Sequence, residues 1–319
     1  MPGACVSGEA RAAALEPRLS WVGWCCSYCS APLEVHAHGL FCRAEGRWFA
    51  TLDGVHRLLP EDRRRELAPA VEMYQRVRRD DGWRAHPGLP EVPRGDRHAA
   101  VWRQRSARFE QAVSLVRARL GPGPWRVLDV GAGCCWASAR LLRAGHRTAA
   151  VDVSLDAEDG LRAAPLLVPS GCVLERAEAD MEAIPIEPAA FDLVLAAASL
   201  HHAPRPGRTL IELRRVTRRD GLLLVLDSPV YRRRPDGEAM VAARMRAQAR
   251  RYGVAMDRER QSGYLVRDEL PDLFRSTGWS LEVHGWPGPF REWARDMVEI
   301  PRRGRRTARF PILLARRDG

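Results

Sequence analysis

The sequence predicts an α/β fold in which a mostly parallel sheet carries helices on both faces. Three observations lead there. From about residue 99 onward, short apolar runs alternate with amphipathic stretches. A glycine-rich turn, Gly131-Ala-Gly133, joins one such run to a helical segment. Aspartates follow the same rhythm, with Asp152 closing the second run and Asp180 just past the third.

Residues 20–60 hold Cys25, Cys26, Cys29 and Cys42 together with two alternating stretches, Gly39–Cys42 and Arg47–Thr51, that read as strands. Residues 61–98 read as a charged helix and then a linker marked by Pro87, Pro90 and Pro93. From Ala99 the apolar spacing turns helical through Trp102, Phe109, Val113, Val116 and Leu120, until Gly121-Pro-Gly-Pro124 stops it. Strands are then expected at Arg126–Val130, Thr148–Val153, Val173–Ala177, Phe191–Ala196 and Leu222–Leu226, and again at Trp279–Val283 and Phe310–Ala315. Trp136–Ala144 reads as an amphipathic helix ended by Gly145, and the arginine-rich stretch between Tyr231 and Tyr264 as largely helical. A third section, 99–319, thus forms the main domain.

The 319 residues carry a formal charge of +11, which by itself suggests an anionic partner such as nucleic acid. All 51 Lys-or-Arg positions are arginine, and asparagine is absent too, so the balance reflects biased residue usage. The clusters Arg63–Arg65, Arg232–Arg234 and Arg302–Arg306 are expected to be solvated surface. No apolar run reaches the roughly 18 residues that cross a bilayer, and Met1–Leu19 lacks the apolar stretch of a signal peptide. A cytoplasmic protein without a membrane partner is the expectation. Eight cysteines in such a chain argue for thiols or metal ligands rather than disulfides.

The strongest signal is Val127-Leu-Asp129-Val-Gly131-Ala-Gly133-Cys-Cys-Trp136, a buried strand, a glycine turn and a helix start. Glycine lets the backbone take tight dihedrals and approach a ligand closely. A nicotinamide dinucleotide would need a third glycine where Trp136 stands, because its pyrophosphate sits on the helix N-terminus. S-adenosylmethionine (SAM) has no phosphate, and Asp129 suits its methionine end. Asp152 suits the two ribose hydroxyls. Asp180 suits the exocyclic amine of adenine, with Met181 covering the ring. Taken singly, each aspartate also reads as a helix cap or a loop carboxylate.

The stretches VLDVGAG, AVDVS, EADMEAIPIEPAAFDLVLAAASLHH and RVTRRDGLLLVLDSP resemble the large "type 11" group of class I SAM-dependent methyltransferases. The resemblance runs from about Ala99 to the C-terminus. It implies a Rossmann-like, seven-stranded sheet with the last strand antiparallel, and SAM contacts from Asp129, Gly131, Gly133, Asp152, Asp180 and Met181, with Ser199 beside them. It also implies that 230–265 is a helical insertion covering the acceptor. The family's third small turn residue, often glycine, is here Cys135.

Cys26-x2-Cys29 and Cys42-x2-Glu45 have the spacing of a zinc ribbon with its last ligand changed. Together with Pro32-Leu33 and Leu52-Asp-Gly54-Val-His-Arg-Leu-Leu59, they resemble two modules. One is the small zinc-ribbon activator of partner methyltransferases; the other is the N-terminal zinc domain of bacterial rRNA guanine-N1 methyltransferases. Cys26, Cys29 and Cys42 are candidate ligands of a structural zinc, with Glu45, His36, His38 or Cys25 as the fourth. A ribbon held without metal by Trp21, Trp24, Phe41, Trp48 and Phe49 is the competing reading.

Methyl transfer needs a positioned nucleophile and, for some acceptors, a base. In Ser199-Leu-His201-His202, where the family lines its methyl-transfer site, His201 or His202 is a candidate base. Packing on the cofactor and bonding to the backbone are the alternatives. Tyr231 is a candidate donor to the substrate or a packing residue. Cys134 and Cys135 open a helix whose dipole lowers a thiol pKa, though small-residue packing is the expected role. The leading reading is a methyltransferase acting on O, N or C of a small molecule, with an RNA base methyltransferase and a catalytically silent SAM-binding adaptor as alternatives. Oligomeric state is not legible.

Overall fold

The computed structural model describes residues 20–253, 263–303 and 306–318. The expectation about Met1–Leu19 and part of the expected 230–265 insertion therefore lie outside the described residues.

The strands assemble as expected in kind, but into one larger sheet. Seven form the anticipated core: β5 (Arg126–Val130), β6 (Arg147–Asp152), β7 (Glu175–Glu178), β8 (Phe191–Ala197), β9 (Thr217–Leu226), β12 (Trp279–His284) and β13 (Ile312–Arg317). Their order is β7-β6-β5-β8-β9-β13-β12, parallel except for β13, which is antiparallel to both its neighbours. The order reverses at β5, where chain direction leaves a crevice at the carboxyl ends of β5 and β8.

The sheet does not stop at seven strands. The N-terminal segment supplies β1 (Glu34–His36), β2 (Gly39–Cys42), β3 (Arg47–Leu52) and β4 (Val55–Arg57), joined as hairpins. The β3–β4 turn is Asp53-Gly54, both at positive φ (52° and 70°), the dihedrals a tight two-residue hairpin needs. β4 then pairs parallel with β7, His56 opposite Ala177 and Arg57 opposite Glu178, giving eleven strands in a single sheet. An unpaired β7 edge would leave a row of backbone donors and acceptors open. The ribbon-like strands fill it. Trp24 and Leu58 are buried beneath this junction in the same apolar cluster as Ile186 and Phe191. Trp48, expected in the ribbon core, is exposed and meets the rings of Phe41 and His36 at tilted angles instead. β3 alternates, so Phe49 faces in and Trp48 out.

Helix α1 (Glu61–Asp80) follows β4 directly, and α2 (Ala99–Leu120) packs Trp102, Phe109, Ala112 and Val116 on the sheet beside Trp136. Helices α3 (Trp136–Arg143), α4 (Pro206–Val216) and α6 (Leu270–Ser276) are the connections between core strands. β10 (Val230–Tyr231) and β11 (Leu265–Val266) make a small parallel pair under α5 (Arg234–Tyr252). A last helix, α7 (Pro289–Arg303), lies between β12 and β13.

Candidate cofactor and acceptor site

A cavity of about 410 Å³ opens at the carboxyl ends of β5, β6 and β8. That lies in the range of roughly 300–1,000 Å³ typical of small-molecule sites. Its floor is the glycine turn. Gly131 takes φ +67°, and a Cβ there would lie 2.4 Å from the Cβ of Ser199, so no side chain fits. Ser199 is fixed over the turn by donating its hydroxyl to the Val130 carbonyl (2.6 Å). Gly133 takes φ +51° and donates its N–H to Asp152 (2.8 Å). Cys135 takes φ +64°, which accounts for the family's glycine at this place. Its thiol is fully buried, and burial pushes its pKa well up, as it pushes that of Cys134 to about 12. At both thiols desolvation outweighs the helix dipole.

The three aspartates converge on this turn. Asp152 ends β6 and lines the cavity; its oxygens accept from the amides of Gly133 (2.8 Å) and Ser154 (2.7 Å). Each carboxylate oxygen keeps a second lone pair for a ligand hydroxyl. Asp129 lies beneath the turn, with one oxygen accepting from Ser138 (2.7 Å) and Oδ1 without a hydrogen bond among the described residues. Burial, reinforced by the nearby Asp152 charge and opposed by Ser138, raises its pKa to about 7. A buried carboxylate with an open lone pair fits a cationic amino group. Asp180 and Met181 also line the cavity, with Met181 Cε 3.7 Å from where a Cβ on Gly131 would lie. One oxygen of Asp180 accepts from the Glu182 amide (2.9 Å) and the other from Arg63 Nε (2.6 Å).

That arginine comes from an unexpected wall. Arg63, Glu66, Leu67, Ala70, Val71 and Tyr74, one face of α1, line the cavity. The charged helix expected before the linker is therefore present, and it is part of the cavity wall. The helix is held there chiefly by guanidinium–carboxylate pairs: Arg64 to Glu178 (2.9 Å), Arg78 to Asp159 (2.5 Å) and Arg79 to Asp156 (3.3 Å), with Gln75 donating to Ser154 (3.1 Å). The cluster 63–65 was expected to be solvated surface. Two of its three members, Arg63 and Arg64, instead bind carboxylates at the end of β7 and just beyond it. The signal for this was present in Leu67, Ala70, Val71 and Tyr74, which recur at helical spacing in a charged segment.

Of the three candidate catalytic residues, only His202 lines the cavity. Its ring meets Tyr74 edge-on at 5.5 Å and His201 at 4.1 Å. His201 is buried with Nδ1 3.2 Å from Ser228 Oγ. Burial, then the charges of His202, Arg244 and Arg105, hold its pKa well below the usual value, so it stays neutral. Tyr231 is buried edge-on to Tyr264 (5.8 Å) and is not among the lining residues. Sequence reasoning missed Tyr74, which lies between the cavity and the Arg78 guanidinium, 5.8 Å from its ring.

Away from the cavity, the sulfurs of Cys26, Cys29 and Cys42 lie within 4.8 Å of one another. Cys29 and Cys42 are 3.6 Å apart. Neither Glu45, His36, His38 nor Cys25 joins the group among the described residues. Cys25 sits half-buried with its thiol toward the Gly23 carbonyl (3.8 Å). The donors fit three corners of a tetrahedral thiolate site and leave the fourth to a ligand from elsewhere.

Several known proteins resemble this chain in sequence or fold. Residues 128–225 match the family described as "Methyltransferase domain". The ubiquinone/menaquinone biosynthesis C-methyltransferase UbiE of Rhizobium leguminosarum is 31% identical over 176 residues, 48% of this chain and 67% of that protein. An uncharacterized protein of Mycobacterium tuberculosis is 39% identical over 102 residues, which cover 32% of this chain and 36% of that one. The crystal structure of a methyltransferase-like protein from Bacillus halodurans superposes with a TM-score of 0.49 at 16% identity, over 67% of this chain and 100% of that chain. The chain belongs to the class I SAM-dependent methyltransferases.

The buried Asp129 carries a test of the site's electrostatics. Its folded pKa lies above its unfolded value near 3.9, so the folded state holds the extra proton between those values. Stability therefore falls as pH rises from about 4 to about 7 and is level above that. Asp129→Asn is expected to abolish this fall and to be more stable than wild type above pH 7, by on the order of 4 kcal/mol at most. Urea titrations across pH 4–8 measure it; parallel profiles for the two proteins contradict the assignment.

Proposed function

We propose that the chain transfers the methyl group of SAM to an O, N or C atom of a small-molecule acceptor, with the cofactor held between the glycine turn and α1. The observation that carries this is the single cavity in which Gly131, Gly133, Asp152, Asp180 and Met181 face Tyr74 and His202. SAM, when bound, supplies a methyl group on a sulfonium, already activated for in-line displacement. The chain's own residues have three tasks. Asp152 holds the ribose hydroxyls with its second lone pairs, Asp129 takes the amino group, and Asp180, shared with Arg63, reads the adenine edge beside Met181. Helix α1 excludes water from the groove, which strengthens each of these contacts. His202, at the Ser199–His202 loop, accepts a proton from an acceptor that carries one, with Tyr74 packed against its ring. His201 supports that loop through Ser228 and does not titrate in the working range.

An RNA acceptor fits less well. The guanidiniums around the cavity are engaged: Arg63 with Asp180, Arg205 with Glu182, Arg78 with Asp159. They do not form an open phosphate track. The name of the Rhizobium relative favours a carbon atom among the three kinds of acceptor.

Calorimetry with SAM and its demethylated product S-adenosylhomocysteine (SAH) tests the reading. Wild type is expected to bind in the micromolar range, and Asp152→Ala to bind roughly tenfold or more weakly, since hydrogen bonds to a charged group are lost. No binding by folded wild type contradicts it and favours an adaptor. With an acceptor found by labelled-SAM screening, His202→Ala should lower turnover by roughly 10²–10⁴ with cofactor affinity kept. Equal turnover removes the base.

We also propose that Cys26, Cys29 and Cys42 hold a structural zinc that ties the first hairpin to the segment before it. Protein purified without chelator should contain about one zinc per chain, lost in Cys42→Ser. Clearly substoichiometric zinc in wild type contradicts the proposal and leaves the apolar packing as what holds the ribbon.

A further inference from the structure

Helix α7 is turned inside out. A surface helix normally sets its apolar stripe on the core and its charges in water. Here the exposed face carries Phe290 (76% exposed), Trp293 (58%), Met297 (60%) and Ile300 (39%), at spacings of three and four residues, with Val298 (49%) beside them. All three acids of the helix face inward or sit half-buried. Glu292 lies 3.4 Å from Arg267 and 3.9 Å from Arg232; Asp296 lies 2.6 Å from Arg306; Glu299 lies 3.4 Å from Arg309 and accepts from the Thr307 amide (3.1 Å). These pairs fix which face points out. They explain how the helix tolerates the inversion, because the buried carboxylates are all matched by arginines.

What remains outward is an apolar stripe with two aromatics, rimmed by the exposed Arg291, Arg295 and Arg302. Among the described residues, Arg295 is the one of these that is paired, with Glu299 at 3.0 Å. No acid faces outward on the helix. We infer that α7 docks this chain on an anionic membrane surface, with Phe290, Trp293, Met297 and Ile300 entering the headgroup–acyl boundary and the arginines contacting lipid phosphates. Amphipathic helices with aromatic and aliphatic faces and basic rims bind lipid in this way, lying in the interface rather than crossing it. That agrees with the lack, among the described residues, of any helix long and apolar enough to span a membrane. A second copy of the chain is the poorer occupant. A twofold pairing through this face would bring the same arginine rims together.

The placement bears on the rest of the molecule. Arg232 and Arg267, which hold α7, directly follow β10 and β11, the strands packed under α5. Docking through α7 would therefore also tether the ends of β10 and β11. The inference does not depend on the methyltransferase reading.

Co-sedimentation of the full chain with vesicles tests it, using phosphatidylglycerol mixed into phosphatidylcholine against phosphatidylcholine alone. The expected result is binding to the anionic vesicles that weakens as salt rises. Phe290→Ser, Trp293→Ser and Met297→Ser combined should reduce it by roughly tenfold or more. These side chains are exposed, so an unchanged circular dichroism spectrum is expected. Arg291→Gln with Arg302→Gln should weaken binding to anionic vesicles while leaving the apolar stripe intact. No binding by wild type overturns the proposal, as does binding undiminished in the apolar variant. A wild-type dimer in light scattering that the apolar variant dissociates also overturns it, and assigns the face to self-association.

Discussion

The pairing of β4 with β7 is the contact on which the rest of the site depends. It closes the open edge of the core sheet, and it also fixes where the chain goes next. Because β4 runs parallel to β7, its carboxyl end lies at the same rim as those of β5, β6 and β8. Helix α1 therefore starts at that rim, and its twenty residues carry it across the cavity. A ribbon tethered beside the sheet would have had no such consequence. Joined to it in register, the ribbon's last strand becomes the mount of the cavity wall.

The forces holding the two ends of this arrangement differ. The β4–β7 junction rests on apolar burial, with Trp24, Leu40 and Leu58 essentially without solvent contact. Each such side chain contributes roughly 1.5–3 kcal/mol. Helix α1 has no fully buried residue and is attached by ion pairs to Glu178, Asp180, Asp159 and Asp156. The carboxylates of these pairs are largely buried, Glu178 at 3% and Asp180 at 11% side-chain exposure, so salt screens them less than surface pairs, and loss of one partner would strand a buried charge. The ribbon is thus held by apolar burial and the helix by matched charge, which takes up part of the chain's large positive charge.

Much of this was legible in the sequence because it follows local rules. Strand–turn–helix with glycines at 131 and 133 places the cavity floor, and the recurring strand-end aspartates mark its sides. Core strand positions agree to within a few residues, β9 starting early at Thr217 because it pairs with β8 through an irregular register. What was not legible depended on contacts distant in the chain. Nothing local to residues 55–57 says that they add to a strand formed by residues 175–178. Without that pairing, the expected charged helix had no assigned place on the cavity, and Tyr74 went unremarked. Tyr231 and His201 were misplaced for a related reason: both sit near the right loop ends, but their side chains turn into the core. Helix α7 escaped because its apolar and acidic residues share a stretch that averages to polar, and only burial shows which face is out.

Helix α1, mounted on the N-terminal ribbon, forms one wall of the cavity. Hydrogen–deuterium exchange with and without SAH tests it directly. On binding, amides of α1 between Arg63 and Arg78 should slow together with those of the Gly131–Cys135 turn, because one ligand bridges both walls. Protection confined to the turn and the strand ends, with α1 unchanged, would contradict this and place the helix outside the ligand site.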